Sequence, residues 1–181
     1  MRIIDFKFEG VEFHDSPNFS ERKNSEISLL VIHSISLPPR EYDEKYIIDF
    51  FLNELDENKD PYFQSIKDLK VSSHLLINRK GKVFQFVAFD KASWHAGVSN
   101  FRGKENCNEF SIGIELVGTD SDNFTNEQYT ALSKICLSLM KEYKDIKKEN
   151  IVGHSDIAPA RKTDPGKGFN WERFKSLLAL S

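Results

Sequence analysis

Ile27-Ser28-Leu29-Leu30-Val31-Ile32-His33 is the stretch on which the reading of the fold turns. Apart from Ser28, the run ahead of His33 is apolar and rich in branched side chains. That is the composition of a strand buried on both faces, as strands of a parallel sheet flanked by helices are. Beyond His33, Pro38-Pro39 stops any regular element. From Tyr42 to Leu55, apolar residues recur at Tyr46, Ile47, Phe50, Phe51 and Leu55, one face of a helix. Asp56 to Pro61 reads as a polar loop. His74 to Asn78 and Val83 to Val87 flank Arg79-Lys80-Gly81-Lys82, a β-hairpin whose turn uses the positive φ open to Gly81.

Further along, Phe110 to Val117 is a second apolar strand and Asp120 to Asn123 a turn. Thr125-Asn126-Glu127-Gln128 has the form of a capping box. Tyr129, Leu132, Ile135, Cys136, Leu139 and Met140 then carry the apolar face of a long helix. Asn150 to Gly153 is a short strand ending at His154. Ala158 to Gly168 is loop, and Trp171 to Leu178 is a closing helix with Trp171, Phe174, Leu177 and Leu178 inward. Strands alternating with helices predict an α/β domain, and the hairpin makes its central β-sheet mixed, flanked by helices.

The chain has 181 residues, a net charge of −3, five histidines and two cysteines. This predicts a single domain (1–181), with an irregular polar arm over residues 1–25 and a core over 26–178. Such a length folds without a disulfide staple, and two cysteines are too few for a disulfide scaffold or a four-cysteine zinc module. The near-balanced charge gives no field for holding nucleic acid. Asp5, Lys7, Glu9 and Glu12 break the N-terminal stretch, which therefore lacks the pattern of a secretory signal. No apolar run approaches the roughly 20 residues of a membrane helix. The expectation is a cytoplasmic monomer that engages no membrane.

His33 and His154 each stand where an apolar strand gives way to loop, the region where open α/β sheets gather functional groups. Two imidazoles and a third ligand would form a catalytic zinc site with one open position; histidines satisfied by packing are the competing reading. Asp156 and Asp164 both follow His154. A carboxylate in the turn at Asp156 commonly bonds local backbone. Asp164, extended before Pro165, shares its direction with Lys162, two residues earlier, and is preferred. In Ser111-Ile112-Gly113-Ile114-Glu115-Leu116-Val117 the face bearing Glu115 otherwise carries Ser111 and Gly113, which reads as open space on a pocket floor. A general base beside a metal-bound water fits there; a solvent-facing strand glutamate is the competing reading. His74 reads as a core or hydrogen-bonding residue. Trp94 and His95 suit a loop lining a groove, with Trp94 offering a flat face to a sugar. Cys136 lies in the buried phase of its helix, and Cys107 in a charged loop without a base; neither suggests a thiol enzyme.

These residues resemble the type 2 N-acetylmuramoyl-L-alanine amidases. The blocks are His33 after its strand, Val71-Ser72-Ser73-His74-Leu75-Leu76-Ile77, Phe89-Asp90-Lys91-Ala92-Ser93-Trp94-His95-Ala96-Gly97, Phe110 to Leu116, and Gly153 to Gly166. They occur in the family's order from about Ile27 to Phe174. Within the family the chain most resembles cytosolic enzymes acting on 1,6-anhydromuropeptides in cell-wall recycling. The resemblance implies a mixed sheet flanked by helices, shared with phage amidases and peptidoglycan recognition proteins. It also implies one zinc ion held by His33, His154 and Asp164, with Glu115 as catalytic glutamate and Lys162 as active-site lysine. The phage type has Tyr where Glu115 stands, and many relatives have Cys where Asp164 stands. Substrate contact is expected at Ser34, Lys70, Trp94, His95 and Asn106. Ser34 stands where relatives often have Asn, and Lys70 and Asn106 where close relatives tend to have Arg; Lys lacks the bidentate fork of Arg, and Asn106 lacks its charge. The alternatives are an amidase acting on intact peptidoglycan, or a peptidoglycan-binding protein without catalysis.

Overall fold

The computed structural model describes residues 1–23 and 26–179. In chain order the elements are β1 (Ile3–Ile4), β2 (Lys7–Phe8), β3 (Glu12–Phe13), β4 (Phe19–Glu21), β5 (Leu29–Ile35), α1 (Glu44–Phe51) and α2 (Pro61–Ile66). Then come β6 (Leu75–Ile77), β7 (Val83–Gln85), β8 (Lys91–Ser93), β9 (Asn100–Phe101), β10 (Lys104–Glu105) and β11 (Ser111–Val117). The last are α3 (Asn126–Glu142), β12 (Ile151–Gly153), α4 (His154–Ile157) and α5 (Trp171–Ala179). Six strands form one mixed sheet in the order β12-β5-β11-β6-β7-β3. The first four run parallel, and β7 returns antiparallel to β6 through the hairpin at Gly81 (φ +77°).

Side-chain alternation sorts the core into two layers. Leu30, Ile32, Ile112, Ile114 and Leu116 pack on one face against Tyr129, Leu132, Ile135 and Leu139 of α3 and Phe174 and Leu178 of α5. On the other face Leu76, Phe84 and Val117 meet Ile47, Phe50 and Phe51 of α1 and Phe63 and Ile66 of α2. The capping box is formed: Thr125 Oγ1 accepts from the Gln128 N–H, and Gln128 Oε1 accepts from the Thr125 N–H. The Gln128 amide also donates to the carbonyls of Ile77 and Val117, so the helix start is tied to the ends of β6 and β11.

Three expectations change. His33 is not the end of its strand: Ser34 and Ile35 continue β5, because Leu116 and Val117 of β11 still pair with them. A short helix, α2, follows the Asp56–Pro61 loop. Asp60 caps it by accepting from the Tyr62 N–H, and Pro61 sits at the helix start, where its missing N–H costs nothing. The arm is not irregular. It carries β1 to β4: β3 forms the sheet edge beside β7, and β4 pairs with β8. The expected boundary after residue 25 falls at Asn24 and Ser25, outside the described residues.

Arg22 anchors the arm to the body. Its guanidinium donates to the carbonyls of Phe89 (3.1 Å), Asn108 (2.9 Å) and Ser111 (2.8 Å). Burial lowers its pKa to about 10, so it stays charged at neutral pH. Arg22→Ala leaves three carbonyls without this donor and should lower unfolding stability by about 3 kcal/mol in urea titration. Arg22→Lys should recover only part, since an ammonium cannot span three separated acceptors. An unchanged urea midpoint for Arg22→Ala would show that the arm does not depend on this contact.

Candidate metal centre and catalytic cleft

Register assembles the site. In the parallel pair β5 and β11, Glu115 lies opposite His33. In the pair β12 and β5, Gly153 lies opposite Ile32, so His154 emerges level with His33. His33 and Glu115 share the sheet face of Leu29, Val31, Ser111 and Gly113. The third group comes from the loop after α4, where the Ser155 N–H donates to the Asp164 carbonyl at 3.0 Å. Asp156 is otherwise engaged: it accepts from the Gly153 N–H at 2.7 Å, the local backbone role expected of it.

His33 Nδ1, His154 Nδ1 and Asp164 Oδ2 converge. The two nitrogens are 3.0 Å apart, and Asp164 Oδ2 lies 3.0 Å from His33 Nδ1 and 3.1 Å from His154 Nδ1. The His154 Nε2–H donates to the Ala96 carbonyl at 3.0 Å. A carbonyl only accepts, so a neutral His154 presents a bare Nδ1 lone pair. His33 in the same orientation, giving Nε2–H to His95 Nδ1 at 2.9 Å, turns a second lone pair to the same point. Burial draws the His33 pKa down to about 4 despite Asp164 beside it, so its imidazole is neutral. Burial alone would raise the Asp164 carboxyl, but the adjoining His154 and His33 rings hold it well below the ordinary carboxylate range. Two imidazole nitrogens and a carboxylate oxygen within reach of one ion form a donor set that could hold a metal such as zinc and leave a fourth position open.

Glu115 stands beside this group, with Oε1 at 4.0 Å from His33 Nδ1. Its Oε2 is buried and without a hydrogen-bond partner. Burial, reinforced by the charge of Asp164, pushes its pKa well above the usual range, while Lys162 pulls the other way. A bound cation would act in the same sense as Lys162 and favour the carboxylate.

A cleft of about 570 Å³ gathers His33, Ser34, Trp94, His95, Glu115, His154, Lys162 and Asp164. Trp94 is held there by its indole N–H, which donates to Ser20 Oγ at 2.8 Å. Lys70 and Asn106 are not among the cleft-lining residues. Asn106 borders a separate groove of about 730 Å³ with Val98, Pro159 and Arg161; that groove is larger, but it holds none of the converging ligand atoms. The face beside Glu115 is not open floor: a Cβ at Gly113 would come within 2.5 Å of His95 Cγ, because the His95 ring fills that space. Cys107 is buried rather than held in a charged loop, and burial raises both its thiol pKa and that of Cys136, which fits neither to a nucleophile.

One residue had no sequence signal. Asp120, read only as the start of a turn, accepts from Ser34 Oγ at 3.1 Å and from Thr163 Oγ1. It thereby ties the strand end beside His33 to the loop bearing Lys162 and Asp164.

Residues 23–167 match the family model described as N-acetylmuramoyl-L-alanine amidase. The chain is 51% identical over 162 residues to the 1,6-anhydro-N-acetylmuramyl-L-alanine amidase AmpD of Haemophilus influenzae, covering 89% of this chain and 88% of that protein. It superposes on the crystal structure of a selenomethionine AmpD derivative with a TM-score of 0.95 at 45% identity, covering 98% and 99% of the two chains. It also resembles the N-acetylmuramyl-L-alanine amidase AmiD of E. coli in complex with anhydro-N-acetylmuramic acid-L-Ala-D-gamma-Glu-L-Lys, with a TM-score of 0.61 and 28% identity over 88% of this chain and 65% of that one.

The donor set predicts that zinc at a hundredfold excess over its Kd stabilises the fold by about 2.7 kcal/mol, seen as a higher Tm that a chelator reverses. His154→Ala should abolish the effect. A Tm indifferent to zinc in the unsubstituted protein would contradict a metal role for the triad.

Proposed function

The chain belongs to the N-acetylmuramoyl-L-alanine amidase family, and from that premise we propose that it hydrolyses the amide between the lactyl group of 1,6-anhydro-N-acetylmuramic acid and L-Ala, as a zinc enzyme of cytoplasmic cell-wall recycling. The observation that carries the chemistry is the convergence of His33, His154 and Asp164 beside the buried, unpartnered Oε2 of Glu115. The choice of a small soluble muropeptide is supported by the close match to an enzyme named for that substrate, along nearly the whole of both chains. Among the described residues no helix is long and apolar enough to cross a membrane.

His33, His154 and Asp164 would hold the ion. Zinc, when bound, supplies Lewis acidity toward a carbonyl and lowers the pKa of water to about 7. Glu115, directed at the same space, takes a proton from the attacking water and delivers it to the leaving amine. The Lys162 ammonium at the cleft stabilises the oxyanion of the tetrahedral intermediate. Trp94 lines the cleft with an apolar face suited to the sugar or lactyl portion.

Glu115→Ala should keep zinc and lose turnover by roughly 100- to 10,000-fold, the usual contribution of a positioned acid or base. Lys162→Ala should lower kcat by roughly 100- to 1,000-fold. Near-normal turnover in Glu115→Ala would remove it from the proton-transfer role.

Substrate class is tested by peptide release from purified anhydromuropeptide and, separately, from intact sacculi. Rapid release from the soluble substrate alone is expected. Comparable rates on sacculi would point to a wall-degrading amidase, and binding without release from either would point to a receptor.

A further inference from the structure

Both ligand histidines are steadied by one dipeptide. His33 lies with Nε2 at 2.9 Å from the His95 ring nitrogen Nδ1, and the His154 Nε2–H donates to the carbonyl of the next residue, Ala96. The dipeptide itself is clamped: the N–H groups of His95 and Ala96 both donate to Asn108 Oδ1, at 3.3 and 2.8 Å. The second nitrogen of His95 is also committed, its Nε2 lying 2.9 Å from Ser111 Oγ. Neither ring nitrogen is therefore left for a substrate.

The space for this ring is built into β11. Gly113 lies against it so closely that a Cβ would stand 2.5 Å from His95 Cγ and 2.7 Å from Nδ1. His74 stands beside the same ring, with ring centroids 6.0 Å apart. His74 is fixed in turn, accepting at Nδ1 from the Gly113 N–H at 3.1 Å and donating from Nε2 to the Lys91 carbonyl at 3.0 Å.

We infer that His95 is a positioning residue: its Nδ1 accepts the Nε2–H of His33 and so fixes the face that His33 turns to the metal, while Ala96 does the same for His154. Partners that orient a ligating imidazole commonly account for 10- to 100-fold in metal affinity. The inference deepens the zinc reading of the triad and rests on it. It assigns to His95 a role different from contact with substrate.

The test measures zinc affinity by chelator competition, apart from any turnover. His95→Leu removes the acceptor and should weaken zinc binding by about 10- to 100-fold. His95→Asn places Oδ1 where the imidazole has Nδ1 and should restore most of that loss, with KM unchanged in the zinc-saturated enzyme. Equal affinity in the unsubstituted protein and His95→Leu overturns the inference. So do equal losses in the Leu and Asn variants, which would reveal mere packing. A measurement on the zinc-loaded, unsubstituted protein covers the case of a variant that does not fold: nitrogen-detected NMR should find the His33 proton on Nε2, and a proton on Nδ1 overturns the inference. Absence of zinc binding in the unsubstituted protein would instead overturn the reading of the triad itself.

Discussion

The parallel register of β12, β5 and β11 is the constraint on which everything else rests. A slip of one residue in β11 would turn Glu115 toward α3 and put Ile114 or Leu116 beside His33. The register is held from both faces. Leu30, Ile32, Ile112, Ile114 and Leu116 are locked under α3 and α5, while Val117 is locked under α1 and α2. The apolar core therefore does more than stabilise the sheet: it fixes, to the residue, which polar groups meet at the cleft.

Those polar groups are uneasy neighbours. Two imidazole nitrogens and a carboxylate oxygen point at one another, and a second carboxylate stands near them with a buried oxygen unpartnered. Buried polar groups normally satisfy one another, and each exception costs free energy that the rest of the fold must offset. A cation at the triad relieves the crowding of the lone pairs and favours the charged form of Glu115. Lys162 adds charge of the same sign from the exposed side. The protein supplies rigid walls through hydrogen bonds that spend the outward-facing atoms of the histidines on Ala96 and His95, leaving only the inward ones for chemistry.

What was legible in the sequence were patterns that repeat locally. The branched run ahead of His33, the capping box at Thr125 and the hairpin at Gly81 each declare themselves within a few residues. Asp164 could be preferred to Asp156 because the two had different local uses, and Asp156 does bond the Gly153 backbone. The strands of the arm were not legible, since two- and three-residue strands have no period to detect; β1 and β2 pair with each other, and β3 and β4 exist because β7 and β8 lie beside them. Helix α2 was missed although Asp60-Pro61 is a helix-start signal, because the helix is only six residues long. Gly113 was misread for a related reason. Its missing side chain makes room for His95, which comes from a different part of the chain, and nothing within β11 announces that neighbour.

The residues of the site also set when it can exist. Arg22 anchors the arm to the carbonyl of Ser111, the residue whose hydroxyl receives the His95 ring, and the triad draws on His33, His154 and Asp164. As a ribosome makes the chain, no set of three ligands is available until synthesis has passed Asp164, after α3 and β12 have emerged. The nascent segments can carry single histidines, but not the chelating cage. A metal held by all three groups would therefore have to wait for the loop that follows α4, the last of the three to be made.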